Sequence, residues 1–151
     1  MKTIDTKSYL SSLCEIAQKG ESVCTVVSGG SMVPFLSGNK DYVYLEVPKR
    51  RLRKGDIVLF TRTNGDFVLH RIKKIRKDGY YLTGDRQTVT EGPVSPEQIR
   101  LLATKVKRKG VFLTEKSLKW KFYSKIWNNL MFLRPAVFSV LSVIRKNKKP
   151  R

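Results

Sequence analysis

The sequence predicts a mainly β protein of the α+β class, in which one antiparallel β-barrel or folded β-ribbon carries an N-terminal helix and a C-terminal basic helical hairpin. Three observations support this prediction. The chain has 151 residues, which fits one domain with a sizeable core. Short apolar stretches alternate with turn sequences such as Asn64-Gly65 and Asp78-Gly79 through the middle of the chain. Helical spacing of apolar residues is found towards the two ends.

Residues 1–20 are predicted to form an N-terminal amphipathic helix. Tyr9, Leu13 and Ala17 repeat at helical spacing, and Gly20 is typical of the position after a helix. Polar residues interrupt every apolar stretch at this end, so we expect neither a signal peptide nor an N-terminal anchor, and a cytoplasmic chain.

The two cysteines are expected to be structural. Cys14 lies on the apolar face of the helix, and Cys24 lies in the strand predicted after it. Their spacing is not that of a zinc site, and His70 is the only histidine that could join them. We therefore expect buried free thiols in a reducing compartment, and no metal or cofactor.

The β-domain is predicted over residues 21–113. Alternating or β-branched stretches predict strands at residues 24–27, 41–47, 57–60, 67–75, 80–83, 99–106 and 111–113. The stretch between the strands predicted at 80–83 and 99–106 contains Pro93 and Pro96 and is predicted to be a polar loop.

Residues 114–151 are predicted to form a basic amphipathic helical segment. Apolar residues follow a helical stripe over 116–133, Pro135 is expected to break it, and a second apolar run covers 136–144. This segment holds ten Lys and Arg against one acid. A basic aromatic hairpin of this kind suits the surface of an anionic membrane, although two helices packed on the β-domain explain the same pattern. The apolar run is shorter than the roughly 20 residues that a membrane span needs.

The net charge favours polyanionic partners. There are 31 Lys and Arg against 12 Asp and Glu, a formal charge of +19. The aromatic residues that could stack on nucleic acid bases concentrate in the C-terminal segment, which favours a membrane over nucleic acid as the partner. No feature of the sequence indicates the oligomeric state.

A glycine-rich bend over residues 28–36 is the first candidate functional element. Gly29 and Gly30 permit unusual backbone conformations, and Pro34 prevents strand pairing after the bend. Such a bend can lift Ser31 out of a strand and present its hydroxyl and N–H to a substrate. An ordinary hairpin with a solvated serine is the alternative.

Ser31, His70 and Asp85 together offer a nucleophile, a base and an orienting carboxylate. A serine hydroxyl needs a base to remove its proton, and the base needs a third group to hold its tautomer and orientation. A core histidine and a simple turn would explain His70 and Asp85 separately. In combination, the three residues favour nucleophilic catalysis.

Four motifs follow one another within residues 27–107. They are Ser31-Met32-Val33-Pro34, Gly55-Asp56-Ile57-Val58, Val68-Leu69-His70-Arg71-Ile72 and Gly84-Asp85. In this order and spacing they resemble the signal peptidase I family and the wider clan that includes LexA-like self-cleaving peptidases. The resemblance implies an antiparallel β-fold with the serine on a bend at its edge.

The resemblance also implies a role for each matching residue. Bacterial signal peptidases and LexA-like proteins use a lysine as base, whereas the endoplasmic-reticulum and archaeal signal peptidases use a histidine. His70 occupies that position, directly before Arg71. Ser31 would then be the nucleophile, His70 the general base and acid, and Asp85 the orienting carboxylate. Met32 and Pro34 would shape the nucleophile turn.

The expected oxyanion site departs from the family pattern. Family members commonly carry a serine two residues before the nucleophile, where this chain has Gly29. The resemblance therefore implies an oxyanion held by backbone N–H groups of the turn that includes Gly30, principally that of Ser31, with Ser28 as a helper.

Two other carboxylates are alternatives to Asp85. The family usually has Asn-Asn or Asn-Arg after this aspartate, whereas this chain has Arg86-Gln87. Asp56 and Asp66 therefore stay open as the orienting group.

The two lysines after His70 are expected to be solvated. Strand alternation places Lys74 on the same face as His70 and Lys73 on the other. Because the surface carries many lysines, a Ser-His site is favoured over a Ser-Lys site.

These observations predict a serine endopeptidase of the signal-peptidase type that cuts a leader, signal or propeptide segment at a membrane surface. With histidine as base, the rate would rise with pH through roughly 6 to 7. The alternative is a non-catalytic basic β-barrel module that binds anionic membrane or nucleic acid. LexA-like self-cleavage is disfavoured because 20 residues before the β-domain are too few for a DNA-binding domain.

Overall fold

One antiparallel sheet dominates the computed structural model, which describes residues 5–148. The elements are α1 (Thr6–Gln18), β1 (Val23–Val26), β2 (Tyr42–Glu46), β3 (Ile57–Thr61), β4 (Phe67–Arg76), β5 (Gly79–Thr83), β6 (Glu91–Val94), β7 (Ile99–Arg108), β8 (Val111–Thr114), α2 (Leu118–Lys121) and α3 (Arg134–Asn147). The strand order is β1-β2-β7-β3-β4-β5-β6, with β8 beside β7. The predicted mainly β, α+β fold with helices at both ends is confirmed.

One apolar cluster packs on each face of the sheet. Consecutive residues of a strand point to opposite faces, so Ile57 and Val58 of β3 enter different clusters. The larger cluster joins the sheet to α1 and to the bend after β1. The smaller one lies on the strands β3 to β7, and its buried members are Leu52, Val58, Phe60, Ile72, Leu82, Val94 and Leu102.

β6 was not expected from the sequence. The stretch predicted as a polar loop contains a four-residue strand, Glu91–Val94, that pairs with β5. Pro93 lies within it, and proline is tolerated there because β6 is the last strand at one edge of the sheet. The strand brings Glu91 into the sheet, directly across from Leu82.

The C-terminal helical segment breaks earlier than predicted. After α2, a π-helical turn and short 3-10 turns lead to α3, which begins at Arg134. Pro135 lies in the first turn of α3, where its missing N–H has no helical partner to lose, so it starts a helix instead of ending one.

Within residues 5–148, no helix is both long and apolar enough to cross a membrane by itself. The stretches Leu118–Asn129 and Met131–Asn147 meet the length and composition requirement only when taken together, and they lie at 83° to each other.

The two cysteines differ in exposure. Cys14 is buried in the larger cluster, as expected, and Cys24 is exposed on the edge strand β1, which corrects the expectation that both are buried. Both thiols are free.

Candidate active site

The bend that carries Ser31 is a closed loop pinned at its base. The Val27 N–H donates to the carbonyl of Asp41 at 2.8 Å, and the Asn39 N–H donates to the carbonyl of Val27 at 2.7 Å. Met32, Phe35 and Leu36 inside the loop are buried in the larger cluster. The loop is therefore held by its own apolar side chains, and Ser31 is left half-buried at its tip.

Ser31 packs directly on Gly84. A Cβ atom at Gly84 would lie 2.5 Å from the carbonyl oxygen of Ser31 and 3.0 Å from its Cβ. The Arg86 N–H donates to the same carbonyl oxygen at 2.9 Å. Gly84 thus provides the space into which Ser31 fits, and the Gly84–Arg86 backbone fixes its position.

His70 lies on the same side of the sheet as Ser31. Arg71 of β4 pairs with Thr83 of β5, and continuing this antiparallel register sets Gly84 across from His70. Residues that oppose each other in an antiparallel pair point to the same face, with Cβ atoms about 4.5–5.5 Å apart. Because Ser31 packs at the side-chain position of Gly84, this register brings the expected nucleophile to the face of the sheet that carries His70.

His70 is buried and uncharged at neutral pH. The side chain is 1% exposed, and its ring centroid lies 5.9 Å from that of Phe60. Burial lowers the pKa of His70 from 6.5 to about 4, against the opposing influence of the Glu91 charge. An imidazole in this state can accept a proton.

Glu91 is the carboxylate that faces His70. Its Oε1 atom lies 3.7 Å from the Nδ1 atom of His70, and Nδ1 has no hydrogen-bond partner within the described residues. Arg62 holds Glu91 through both of its oxygens, with 2.9 Å between Nε and Oε2. This hydrogen bonding lowers the pKa of Glu91, so its carboxylate is ionised.

Asp85, expected to orient His70, is instead engaged by Arg71. Both residues are fully buried, and two parallel hydrogen bonds of 2.8 Å join the Nε and Nη2 atoms of Arg71 to the two oxygens of Asp85. His70 and Arg71 are consecutive in β4 and point to opposite faces. Among the described residues no hydrogen bond or ion pair joins Asp85 to His70, although the Asp85 charge still opposes the lowering of the His70 pKa.

Arg71 also joins three of the four sequence motifs into one buried unit. Besides Asp85, its guanidinium donates to the carbonyl of Gly55 at 2.9 Å and lies 5.2 Å from the ring centroid of Phe35 in the nucleophile loop. Some of the residues in these motifs, Gly55, Arg71 and Asp85, thus contact one another and stabilise the fold around the candidate site.

The two alternative carboxylates also have other partners. Asp56 accepts two hydrogen bonds from Arg50, at 2.8 and 2.9 Å. Asp66 lies in the hairpin after β3 and forms an ion pair of 3.0 Å with Lys7. Among the carboxylates considered, Glu91 is the one beside His70.

Neither lysine after His70 is placed to act as a base on Ser31. Lys73 donates to the carbonyl of Asn128 in the C-terminal segment. A β-bulge between Ile72 and Lys74 breaks the alternation, so Lys74 does not share the face of His70 as predicted. Lys74 is exposed.

The N–H of Ser31 is available as an oxyanion donor. No backbone hydrogen bond within residues 5–148 uses it. Gly29 has a φ of +72°, and Gly38 packs so closely that a Cβ there would lie 2.0 Å from the Gly29 carbonyl oxygen. Ser28 and Gly30, expected near the oxyanion, are exposed beside Ser31, whereas Met32 is buried and Pro34 is half-buried.

The segment 118–134, named here the C-terminal clasp, holds the backbone next to Ser31 from outside the sheet. The buried Arg134 donates through Nη1 to the carbonyls of Gly84 and Gln87, at 2.8 and 2.7 Å. The indole N–H of Trp127 donates to the carbonyl of Asp85 at 2.7 Å. The clasp therefore fixes the turn on which Ser31 rests.

The sequence does not predict Glu91 as a site residue, because its strand has the sequence pattern of a polar loop. Pro93 and Gly92 next to it are typical of a loop, and an acidic residue in a polar loop has no distinguishing periodicity. Only the cross-strand pairing with Leu82 places Glu91 near the site.

The model of one protein family, Peptidase S24-like, matches residues 2–106. No curated protein and no solved structure matches the chain significantly. The matched range contains Ser31, His70 and Glu91, and the C-terminal clasp lies beyond it.

Proposed function

This chain belongs to the Peptidase S24-like family, and from that premise we propose that it is a serine endopeptidase in which Ser31, His70 and Glu91 act together. The observation that carries the proposal is the position of Ser31 on Gly84, across from a buried, uncharged His70 that faces a carboxylate. This arrangement matches what an activated serine requires.

In the first half of the reaction, the Ser31 hydroxyl attacks the carbonyl carbon of the scissile peptide bond and transfers its proton to His70. Nδ1 of His70 faces Glu91, which leaves Nε2 as the nitrogen for Ser31. The resulting oxyanion accepts a hydrogen bond from the backbone N–H of Ser31. His70 then gives its proton to the leaving amine, and an acyl ester remains on Ser31.

In the second half, water replaces the leaving amine. His70 removes a proton from the water, the hydroxide attacks the ester, and the Ser31 oxygen recovers its proton as the acid product leaves. His70 is unprotonated at the start of each half because burial lowers its pKa to about 4.

Glu91 orients the imidazole and stabilises the imidazolium that forms during each transfer. Its Oε1 atom is 3.7 Å from Nδ1, longer than a hydrogen bond. Such contacts commonly shorten when substrate is bound. Arg62 keeps Glu91 ionised and limits its movement.

We further propose that the enzyme works at an anionic membrane surface on a leader, signal or propeptide segment. Support comes from exposed apolar side chains of the C-terminal segment, foremost Leu118 at 84% and Phe132 at 76%. Lysines 119, 121 and 125 lie among them. Apolar side chains with interspersed cations are the chemistry of an interfacial helix.

Labelling with a serine-reactive fluorophosphonate, followed by mass mapping, tests the catalytic proposal. We expect the label at Ser31 of the wild-type protein and none in Ser31→Ala. His70→Ala is expected to slow labelling by about 100-fold or more, because general-base assistance is lost. Ser12→Ala, an exposed serine on α1, is the matched control and should label at the wild-type rate.

Equal labelling of the wild type and His70→Ala would contradict the proposal, as would a label at another serine. A folded wild-type protein that is not labelled, but binds anionic vesicles, would favour the alternative of a non-catalytic basic module. Circular dichroism and thermal melting of each variant separate loss of activity from loss of fold.

A further inference from the structure

A basic groove begins at the nucleophile loop and ends between the sheet and α3. It has a volume of about 1020 Å³. Val33 and Pro34 of the loop form one end, and Phe138, Leu141 and Ile144 of α3 contribute an apolar wall. The groove is large enough for several residues of an extended polypeptide.

The rim of this groove is unusually positive. Eight of the lining residues are Lys or Arg, and six of them are Lys40, Arg86, Lys107, Lys109, Arg145 and Lys146. They come from the loop before β2, the turn before β6, β7 with its following turn, and α3. Cations from four separate parts of the chain thus converge on one concave surface.

Within residues 5–148, Asp41 is the one acidic residue that lines the groove, and its carboxylate binds backbone N–H groups. Its buried carboxylate accepts two hydrogen bonds, one from the backbone N–H of Ser37 at 2.8 Å and one from that of Lys109 at 3.4 Å. It forms no ion pair with the rim cations within the described residues. The rim therefore keeps a large excess of positive charge.

Arg86 connects the groove to the proposed active site. Its N–H donates to the carbonyl of Ser31 at 2.9 Å, and its guanidinium lies 5.1 Å from the ring centroid of Phe138 in α3. The groove therefore adjoins the loop that carries Ser31, although Ser31 is not among its lining residues.

We propose that this groove binds an acidic segment of the substrate polypeptide next to the scissile bond. The proposal rests on the proposed peptidase function, because it assigns the substrate class of that site. Carboxylates of the substrate pair with the rim cations, and apolar side chains between them pack on Leu141 and Phe138. A nucleic acid fits less well, because the groove offers few aromatic rings on which bases could stack.

Binding of a fluorescent peptide of alternating glutamate and leucine, compared with its glutamine counterpart, tests the proposal. Fluorescence anisotropy is measured at physiological salt with the wild type and with the triple variant Lys40→Glu, Lys107→Glu, Arg145→Glu. We expect the glutamate peptide to bind at least about tenfold more tightly than the glutamine peptide, and the triple variant to lose about tenfold in affinity.

The matched control reverses three cations outside the groove lining, Lys74→Glu and Arg76→Glu in β4 and Lys77→Glu in the turn after it. Both variants change the net charge of +19 by the same amount. The control should keep its affinity within about twofold. Equal losses in both variants would overturn the proposal, because binding would then reflect overall charge.

Two further measurements separate the outcomes. Excess glutamate peptide should slow fluorophosphonate labelling of Ser31 in the wild type, since the groove borders the loop; unchanged labelling would contradict a substrate role. Binding to phosphatidylglycerol vesicles that the triple variant loses and the control keeps, with no binding of the peptide, would assign the groove to lipid instead. If Ser31 is never labelled but the peptide binds through the groove, the peptidase function fails while the acidic-peptide site remains.

Discussion

Two carboxylates near β4 have different partners, and single substitutions test whether only one of them supports the proposed chemistry. Asp85→Asn leaves the buried Arg71 charge without its partner and is expected to cost about 3–5 kcal/mol of unfolding free energy. Glu91 is partly exposed, so Glu91→Gln should change stability by less than about 1 kcal/mol while slowing Ser31 labelling at least about tenfold. Urea unfolding and labelling rates measure the two effects. A stable, inactive Asp85→Asn variant with an active Glu91→Gln variant would reverse the assignment.

The burial of His70 changes the pH dependence expected from the sequence. Only the unprotonated imidazole can act as base, and burial lowers its pKa from 6.5 to about 4. The rate should therefore rise with pH through about 4 and be level from about 6 to 8, instead of rising between 6 and 7. The pH profile of kcat/KM for a cleaved peptide reports this free-enzyme pKa. A rise centred near 6.5 would mean that His70 is solvated in the active state.

Gly84 is a further single residue on which the site depends. In Gly84→Ala the new methyl group would lie 2.5 Å from the Ser31 carbonyl oxygen, so the loop must shift. We expect slower Ser31 labelling and a lower melting temperature. Gly30→Ala is the matched control for stability, because a Cβ there meets nothing within 4 Å. Equal melting temperatures for the two variants would show that Ser31 does not rest on Gly84.

At the scale of elements, the C-terminal clasp is expected to support catalysis through the turn that it holds. Trp127→Phe removes the hydrogen bond to the Asp85 carbonyl but keeps most of the ring, at a cost of about 1 kcal/mol. Trp120→Phe is the comparison variant. It makes the same substitution at another buried tryptophan, whose ring packs on Phe35 with the centroids 5.5 Å apart. Labelling of Ser31 should slow more in Trp127→Phe. If the two variants have equal labelling rates and equal stability, the hydrogen bond of Trp127 has no special effect on Ser31, and the clasp acts only through packing.

The strands illustrate which elements local sequence predicts. Those with β-branched alternation and a clear turn, such as β3 and the β4–β5 hairpin, have the predicted bounds to within one or two residues. β6 was missed because its four residues include glycine and proline, and only pairing with β5 makes it a strand. The π and 3-10 turns after α2 were not predicted; Trp127 and Arg134, at and after these turns, bind the backbone of the turn after β5, a contact that helical periodicity does not reveal.

At the scale of the whole molecule, membrane binding should depend on the exposed apolar side chains of the C-terminal segment. The double variant Leu118→Ser, Phe132→Ser is expected to bind vesicles with roughly one third phosphatidylglycerol at least about tenfold more weakly, because two large apolar contacts are lost. Val89→Ser, at a residue 71% exposed in the loop before β6, is the matched control. Flotation measures binding, and a wild-type protein that stays in solution would contradict the proposal.

The sequence by itself determined the fold class and most strand positions, because these depend on local periodicity, and the spacing of its motifs supplied the first candidates for the site. Ser31 and His70 can be recognised in the sequence because each lies in one of the ordered motifs. The tertiary structure decided which carboxylate faces His70, since that depends on strand register and on the face to which each side chain points. It paired Asp85 with Arg71, brought Glu91 to His70 through an unpredicted edge strand, and lowered the pKa of His70 by burial.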